Sequence, residues 1–436
     1  MKRPYQSPPE AWRPVEAAAR KLAEPMYRFF ALEAASGLLL FAAVAAALIW
    51  ANLASGSYQA VWSSPVGFEL AGWHVERTLH FWVNEGLMTI FFFVVGLEIR
   101  RELYEGELSN LRRAALPLAT ALGGVLLPIA IFVLLNHGRA GAGGWAIPMA
   151  TDIAFALGVL SLLGSRVPAQ LRILLLALAV IDDIAAIVVI AIWFGGSLAW
   201  QGFALAGIGI ALAFAFRIAG LRASAAYLLP GAVVWFGLYT AGVHPTLAGV
   251  LLGLLTPVRP WFGPSGFKQT TEHHLRDLEG TTSDELIDRL DQINLARREA
   301  ISPAERLIHR LHPWVAFVVM PGFALANAGV VLGGSALHGD GLWLFAGIVL
   351  GLAAGKPLGI AVAASAAARL GVARAPGMAL VGMVGGIGFT MSLFIAQLAF
   401  ADGPMLETAK LAVLVGSALA TLFALGYGRF ALALTR

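Results

Sequence analysis

The chain has 436 residues, of which 58% are hydrophobic and 13% are charged, and its formal net charge at pH 7 is +4. Soluble domains have about 25% charged residues, so this composition excludes an ordinary soluble protein and indicates a membrane protein with several spans. The chain contains no cysteine, which excludes both disulfides and thiolate metal sites.

Twelve apolar runs are predicted to be transmembrane helices, because about 20 apolar residues in a helix are long enough to cross a bilayer. The whole chain, residues 1–436, is therefore predicted to be a single all-α polytopic membrane domain. Residues 1–32 are polar and amphipathic, and we interpret them as an uncleaved tail before the first span. The twelve predicted spans are residues 33–53, 79–98, 114–135, 146–163, 173–194, 200–217, 224–242, 244–258, 313–333, 342–366, 377–400 and 406–433.

Positive charges alternate between the two sides of the predicted membrane. Of the 30 Lys and Arg residues, all but Arg77, Arg139, Lys356 and Lys410 lie in the two tails or in every second loop. Loops rich in Lys and Arg stay in the cytoplasm, so both termini are predicted to be cytoplasmic. This pattern accounts for the net positive charge without a nucleic-acid partner.

Two connections between predicted spans have local patterns of their own. Apolar residues alternate with small or charged ones in 64–78, which favours a β-hairpin on the outer side, with an irregular loop as the alternative. In the cytoplasmic loop 259–312, Thr282 and Glu285 form a capping-box pattern that predicts a surface helix. The stretch "SPAERL", with Pro303 at the first helical position, predicts another helix start that leads into span nine.

Charged residues inside the predicted spans are candidates for function. Asp152 lies in span four, Asp182 and Asp183 in span five, Lys356 in span ten, and Glu98 at the inner end of span two. A single buried Asp–Lys pair is as easily a structural ion pair as a functional one. Three carboxylates and one ammonium are different, because one lysine cannot neutralise all three, and protons or a bound cation must supply the balance.

The adjacent aspartates in "LALAVIDDIAAIVV" point in different directions. Successive residues of a helix are about 100° apart, so Asp182 and Asp183 cannot both face one point. One of them can meet a cation while the other meets a neighbour such as Lys356. Hard cations such as Na⁺ prefer oxygen ligands. Carboxylates that hold either protons or a cation form a competitive exchange site.

Two spans have helix-breaking residues in the middle. Pro148 precedes Ala-Thr-Asp in span four, and four glycines precede Thr390 in span eleven. Small residues also allow tight helix packing, and that alternative stays open for the glycines. However, these spans are the middle members of spans 3–5 and 10–12. Broken helices at corresponding positions of two such triplets indicate a transporter with inverted repeats. The family whose motifs this chain resembles is a known example of that class. We expect Asp152 to offset a positive helix N-terminus there, and Lys356 a negative C-terminus.

Six motifs together resemble those of the bacterial NhaA sodium/proton antiporters. The resemblance covers the chain from about residue 30 to its end, with all elements in order. It implies an inner-membrane antiporter of twelve helices, with spans four and eleven unwound and crossing at midmembrane. It also implies exchange of Na⁺ or Li⁺ for two protons per cation, active at alkaline pH, without catalysis or a cofactor. The motifs are "FFFVVGLEIRREL", "GWAIPMATDIAFALGVLSLLGSRVP", "LALAVIDDIAAIVV", "HPTLAGVLLG", "GKPLGI" and "VGGIGFTMSLFIAQLAF".

The resemblance assigns roles to residues of the ion site. The family's paired aspartates fall on Asp182 and Asp183, with Asp183 as the direct cation ligand and Asp182 as the partner of Lys356. The Thr-Asp pair of its first broken helix falls on Thr151 and Asp152, and its essential lysine on Lys356.

Five further residues match the family's pH-response positions. These are Glu98 at the inner end of span two, Glu102 after it, His309 and His312 at the entry to span nine, and His244. A histidine near a membrane surface is a reasonable pH switch, although it serves equally as an interfacial anchor.

The resemblance also divides the chain into regions. Residues 114–194 and 342–433 correspond to the inverted repeats of the ion-binding core. Residues 33–113 and 244–333 correspond to an interface and pH-response region. In the family the outer hairpin, here 64–78, pairs two protomers, which implies a homodimer.

The chain departs from the family pattern in three places, which affect the expected pH profile rather than the exchange chemistry. Ile308 stands where the best-known pattern has a glutamate before the first histidine of "HRLHPW". The loop 259–301 is longer, and the N-terminal tail is extended.

Two other functions remain as alternatives. An intramembrane aspartyl protease also uses two buried aspartates, but on separate helices, which adjacent Asp182 and Asp183 fit poorly. A proton-coupled transporter of another solute would be expected to have more aromatic and hydrogen-bonding residues near the middle of its spans. Neither alternative requires Na⁺ or Li⁺, so sodium dependence distinguishes them from an antiporter.

Overall fold

The computed structural model describes residues 33–70, 73–163, 167–196, 198–221, 224–276, 282–331, 338–370 and 377–431. These residues form helices throughout, with one two-stranded sheet. The predicted N-terminal tail, residues 1–32, lies outside the described residues.

The helices are labelled in chain order. The first nine are α1 (Glu33–Leu53), α2 (Ser55–Ser63), α3 (Leu79–Tyr104), α4 (Leu111–Asn136), α5 (Ile153–Leu162), α6 (Ala169–Trp193), α7 (Trp200–Ile218), α8 (Leu228–Thr240) and α9 (Leu247–Leu255). The others are α10 (Gly263–Leu275), α11 (Ser283–Glu299), α12 (303–327), α13 (Asp340–Arg369), α14 (Met378–Gly385), α15 (Phe389–Ala399) and α16 (Pro404–Ala431). A π-helical turn interrupts α3, α12 and α13, at Trp82–Leu87, Val315–Val319 and Gly351–Gly355.

Every predicted span coincides with helical structure, although the lengths differ. Within the described ranges, seven helices are long and apolar enough to cross a membrane, or nine if each of two bent helix pairs is one span. Helix α9 has only 9 residues, fewer than predicted for 244–258. The helix ends before Pro257, because a steric clash with the proline ring disfavours helical dihedrals in the preceding residue.

Two bent pairs occur where the sequence predicts breaks. The turns at 140–149 meet α5 at 53°, and α14 meets α15 at 44°. The non-helical links between them lie side by side, because the backbone N–H of Asp152 donates to the carbonyl of Ile387 at 2.7 Å. Both residues are fully buried. The exposed backbone of each break is therefore partly satisfied by the other.

The two-stranded sheet lies within the predicted 64–78 segment. Strand β1 (Pro65–Leu70) pairs antiparallel with β2 (Trp73–Thr78), with Pro65 opposite Thr78 and Leu70 opposite Trp73. Residues 71 and 72, between the strands, lie outside the described part of the chain. The Thr78 hydroxyl accepts from the Phe81 N–H at 3.2 Å and so caps the start of α3.

The capping patterns of the long loop are confirmed. Thr282 and Glu285 form a reciprocal capping box at the start of α11. Ser302 accepts from the Glu305 N–H at 3.2 Å, with Pro303 in the first turn of α12. The loop also contains α10, a helix that was not predicted from the sequence.

Helices α4 and α13 cross at two glycines that face each other. A Cβ atom on Gly359 would overlap the carbonyl oxygen of Gly123, and the reverse also holds. Close approach of this kind is how small residues pack membrane helices together. The crossing brings Lys356, one turn before Gly359 on α13, towards the centre of the molecule.

We expect Gly359→Ala to destabilise the protein by about 1–3 kcal/mol, because the added methyl group forces the two backbones apart. Gly207→Ala on α7 is the control, since no atom lies within 4 Å of its added Cβ. The measurement is the thermal unfolding temperature of the purified protein in detergent. Equal unfolding temperatures for the two variants would contradict this account of the crossing.

Candidate functional site

The predicted ion-site residues come together in the interior of the protein. Thr151 and Asp152 lie in the link before α5, Asp182 and Asp183 lie on α6, and Lys356 lies on α13. All five are buried, with Asp183 the most exposed at 3%. We call these five residues the ion cluster. The cluster combines an interrupted helix with two continuous ones.

Lys356 and Asp182 form a buried ion pair within the cluster. The Lys356 Nζ lies 2.6 Å from Asp182 Oδ2 and also donates to the hydroxyl of Thr151. The Thr151 Oγ1 in turn lies 2.6 Å from the same Asp182 oxygen and 2.9 Å from the carbonyl of Gly385, at the end of α14. One hydroxyl proton serves only one of these two acceptors at a time.

This arrangement modifies the expected role of Lys356. Its hydrogen bonds go to the side chains of Thr151 and Asp182. Thr151 is the residue that reaches Gly385, at the negative C-terminal end of α14. The lysine thus acts on the broken helix through an intervening hydroxyl group.

Asp152 caps two helices at once. Its Oδ1 accepts from the Phe155 N–H at 3.0 Å, and its Oδ2 accepts from the Thr390 N–H at 3.1 Å and from the Thr390 hydroxyl. One carboxylate therefore faces the N-termini of α5 and α15. Each N-terminus carries partial positive charge, so the placement stabilises the ionised carboxylate, as the sequence analysis expected.

Two carboxylate oxygens of the cluster have no hydrogen-bond partner among the described residues. Asp182 Oδ1 and Asp183 Oδ2 are buried and accept no hydrogen bond from that part of the chain. An unpaired buried carboxylate oxygen is costly unless a proton or a cation satisfies it. The two oxygens belong to adjacent residues of α6.

Four of the five predicted pH-response residues lie on two helices, near the C-terminal end of α3 and in the first turns of α12. Glu98 and Glu102 lie one turn apart on α3 and are partly buried, whereas His309 and His312 lie on the exposed face of α12. The Glu102 Oε1 accepts from the backbone N–H of Glu107 at 2.6 Å.

Ile308 lies at the contact between α3 and α12. It is 7% exposed and packs with Leu97 and Ala304. The position that departs from the family pattern thus forms an apolar contact between the two helices that carry the predicted pH-response residues.

His244 lies in the turn between α8 and α9, apart from those residues. Its Nε2 lies 2.8 Å from the carbonyl of Phe194, and its Nδ1 lies 3.6 Å from Glu85 Oε1. Within the described part of the chain, the other oxygen of Glu85 is buried without a hydrogen-bond partner. Glu85 lies inside predicted span two. The criterion that selected the other candidates, a charged residue inside a predicted span, therefore also applies to Glu85.

Two residues of the site were not assigned a role from the sequence. Thr390 contacts Asp152 directly, and the Ser417 Oγ accepts from the Phe389 N–H at 3.1 Å, at the start of α15. Thr390 directly follows the glycine-rich break, and a polar residue beside a predicted break could have been selected as a site residue from the sequence. Ser417 gives no such signal, because it lies in the middle of an ordinary apolar helix.

Comparison with known proteins identifies the family. The sequence model described as Na+/H+ antiporter 1 matches residues 27–427. A protein named Na(+)/H(+) antiporter NhaA 2 from Sorangium cellulosum is 52% identical, over 98% of this chain and 94% of the relative. The protein of that name from Myxococcus xanthus is 50% identical, over 98% and 93%. The protein named Na(+)/H(+) antiporter NhaA from Janthinobacterium is 45% identical, over 98% and 97%.

These matches extend over nearly the whole chain, so they include every helix that contributes to the ion cluster. They agree with the apolar helices of the fold, and they support sodium/proton transport across a bacterial membrane. The chain therefore belongs to the Na+/H+ antiporter 1 family, that of the NhaA antiporters, and is a multi-pass membrane transporter rather than an enzyme.

Proposed function

We propose that this protein exports Na⁺ or Li⁺ in exchange for protons, with the ion cluster as the exchange site. The observation that carries the proposal is the charge imbalance of the cluster. Three buried carboxylates accompany one buried ammonium, and two carboxylate oxygens have no hydrogen-bond partner among the described residues. Protons or a cation balance the excess negative charge, and the two compete because they use the same oxygens.

The local partners suggest which group exchanges its proton. The charge of Asp152 is offset by the N-termini of α5 and α15, and that of Asp182 by Lys356. Among the described residues, Asp183 has no partner of this kind, so we assign it as the carboxylate that alternates between a proton and a cation. Na⁺ bound to Asp183 reaches Asp182 as well, since hard cations collect several oxygens.

We propose a stoichiometry of two protons per cation, and the same geometry supports it. When Na⁺ engages Asp182, Lys356 loses its ion-pair partner and gives up a proton. Asp183 gives up the other proton. Exchange of two protons for one cation moves one net positive charge in each cycle, so transport is electrogenic and is driven by the membrane potential as well as by ΔpH.

Access to the site alternates through movement of the broken helices. We propose twelve spans, with the 114–194 and 342–433 regions as inverted repeats and the two breaks crossing at midmembrane. The bends of 53° and 44°, together with the 2.7 Å bond between Asp152 and Ile387, support this arrangement. Broken helices at midmembrane place their ends at the ion, and one repeat then moves against the other.

Orientation and assembly follow from the charge pattern and the sheet. Lys and Arg in alternate loops favour cytoplasmic termini in the bacterial inner membrane, with the sheet in the periplasm. The two strands leave free edges, and an edge strand favours pairing with a second copy. We propose a homodimer formed through residues 64–78.

Activation at alkaline pH is proposed to involve Glu98, Glu102, His309, His312 and His244. The α3–α12 contact that joins four of these residues is apolar at Ile308. An apolar residue there has no charge of its own to respond to pH. The pH profile of this chain is therefore expected to rely on the surrounding glutamates and histidines.

Asp183→Asn is expected to abolish exchange, because an amide cannot release a proton to take up a cation. The measurement is collapse of ΔpH by Na⁺ or Li⁺ in everted vesicles between pH 6.5 and 8.5. Asp340→Asn is the control, since Asp340 lies in a partly exposed pair with Arg139. Exchange that persists in Asp183→Asn would place the site elsewhere, and wild-type exchange without Na⁺ or Li⁺ dependence would favour another solute.

Thr151→Val is expected to raise the Na⁺ concentration for half-maximal exchange by roughly fivefold. The valine keeps the shape but removes a hydroxyl that links Lys356, Asp182 and Gly385, and one hydrogen bond contributes about 1 kcal/mol. Thr240→Val is the control, because the Thr240 hydroxyl bonds only carbonyls of its own helix. Identical Na⁺ dependence in the two variants would remove Thr151 from the site.

A further inference from the structure

Three amide side chains form a closed ring between three helices. The Asn84 Nδ2 donates to Gln397 Oε1, the Gln397 Nε2 donates to Asn327 Oδ1, and the Asn327 Nδ2 donates back to Asn84 Oδ1 at 2.8 Å. The His80 Nε2 lies 2.8 Å from the same Asn327 oxygen. We call Asn84, Asn327 and Gln397 the amide ring.

The amide ring lies on the side of the molecule that carries the sheet. Asn84 is in the first turns of α3, directly after β2, whereas Asn327 ends α12 and Gln397 is near the end of α15. Asn84 and Asn327 are buried, and Gln397 is partly buried. Buried amides are costly unless they are paired, and in the ring every amide both donates and accepts.

An aromatic layer lies between the ring and the ion cluster. The Phe394 ring on α15 contacts Phe92 on α3, with centroids 5.4 Å apart, and Phe323 on α12, at 6.2 Å. All three rings are buried. Phe394 lies between Gln397 and Thr390, which contacts Asp152. Along α15, the aromatic layer therefore lies between the amide ring and the residue that contacts the ion cluster.

The amide ring joins parts of the protein that the exchange cycle must separate. Helix α15 is bonded to the ion cluster through Thr390. Helices α3 and α12 supply none of the five residues of the cluster. If one unit moves against the other to expose the ions, bonds between α15 and the α3–α12 pair have to break.

We propose that the amide ring, with His80, is a latch that holds the sheet side of the ion path closed and opens once in each cycle. This rests on the proposed exchange function. Neutral amide bonds suit a latch that opens repeatedly, because water replaces them at a modest net cost. A charged pair in that place would hold the two units together more strongly.

The test compares the Na⁺ dependence of exchange from the two faces of the membrane. An apparent dissociation constant equals the intrinsic constant divided by the fraction of protein open to that face. The ratio of inner to outer half-saturation constants therefore reports the equilibrium between the two conformations. It is measured with Na⁺ in everted and in right-side-out vesicles.

Gln397→Met keeps the length of the side chain but removes two bonds of the ring. We expect the inner-to-outer ratio to rise about five- to tenfold, because the sheet side opens more readily. His80→Phe removes the bond to Asn327 and the longer contacts of 3.4 and 3.5 Å with Asn84, but leaves the three bonds of the ring, and is expected to raise the ratio two- to threefold. The control is Gln201→Met, at an exposed position on α7.

A ratio that stays at the wild-type value in Gln397→Met and His80→Phe would show that the ring is only structural. A ratio that falls would show that it holds the other side closed, and either result overturns the latch. If Gln397→Met does not accumulate in the membrane, the ratio measured for His80→Phe alone decides whether the latch is supported or overturned. Absence of Na⁺-driven exchange in the wild type would overturn the proposed function instead.

Discussion

The double cap made by Asp152 is the interaction on which the centre of the structure depends. A break in a membrane helix exposes backbone donors that lipid cannot satisfy, so two breaks are stable only where they satisfy each other or line a polar space. Asp152 does this with both its backbone and its carboxylate, through Ile387, Phe155 and Thr390. The two helix N-termini in return stabilise the buried charge of Asp152.

Once the two breaks are held together, the positions of the other residues of the ion cluster are largely set. Thr151 precedes Asp152 and so comes within reach of Asp182 and Lys356, while the Gly123–Gly359 crossing brings α13 close enough for the lysine to meet them. Burial of three carboxylates and one ammonium makes an unbalanced charge costly. This cost is what suits the cluster to the proposed exchange of protons for a cation.

The contact between α3 and α12 has a different character at its two ends. At one end Ile308 and Leu97 make an apolar contact, and at the other Asn84 and Asn327 belong to a hydrogen-bonded ring that also includes Gln397 of α15. Apolar contacts have no preferred direction. Hydrogen bonds have defined geometry and break in discrete steps. The hydrogen-bonded end therefore holds the two helices to α15 in one defined arrangement.

The sequence by itself determined the long apolar helices, the places of the two breaks and most of the buried charges, although not the shorter helices α2 and α10. Apolar runs, Pro148, the glycines before Thr390, and the capping pairs at Thr282 and Ser302 are local signals, and local signals act within a few residues. Asp152, Asp182, Asp183 and Lys356 were recognisable because any charge in an apolar run requires a reason.

Only the tertiary structure decided which of these groups meet. Asp182 and Lys356 are 174 positions apart, Asp152 and Thr390 are 238 apart, and Asn84 and Asn327 are 243 apart. Neutral residues such as Ser417 and Gln397 were not predicted, because an amide or hydroxyl in an apolar helix is common and shows its role only when its partner is seen. Chain folding, rather than local pattern, supplies that partner.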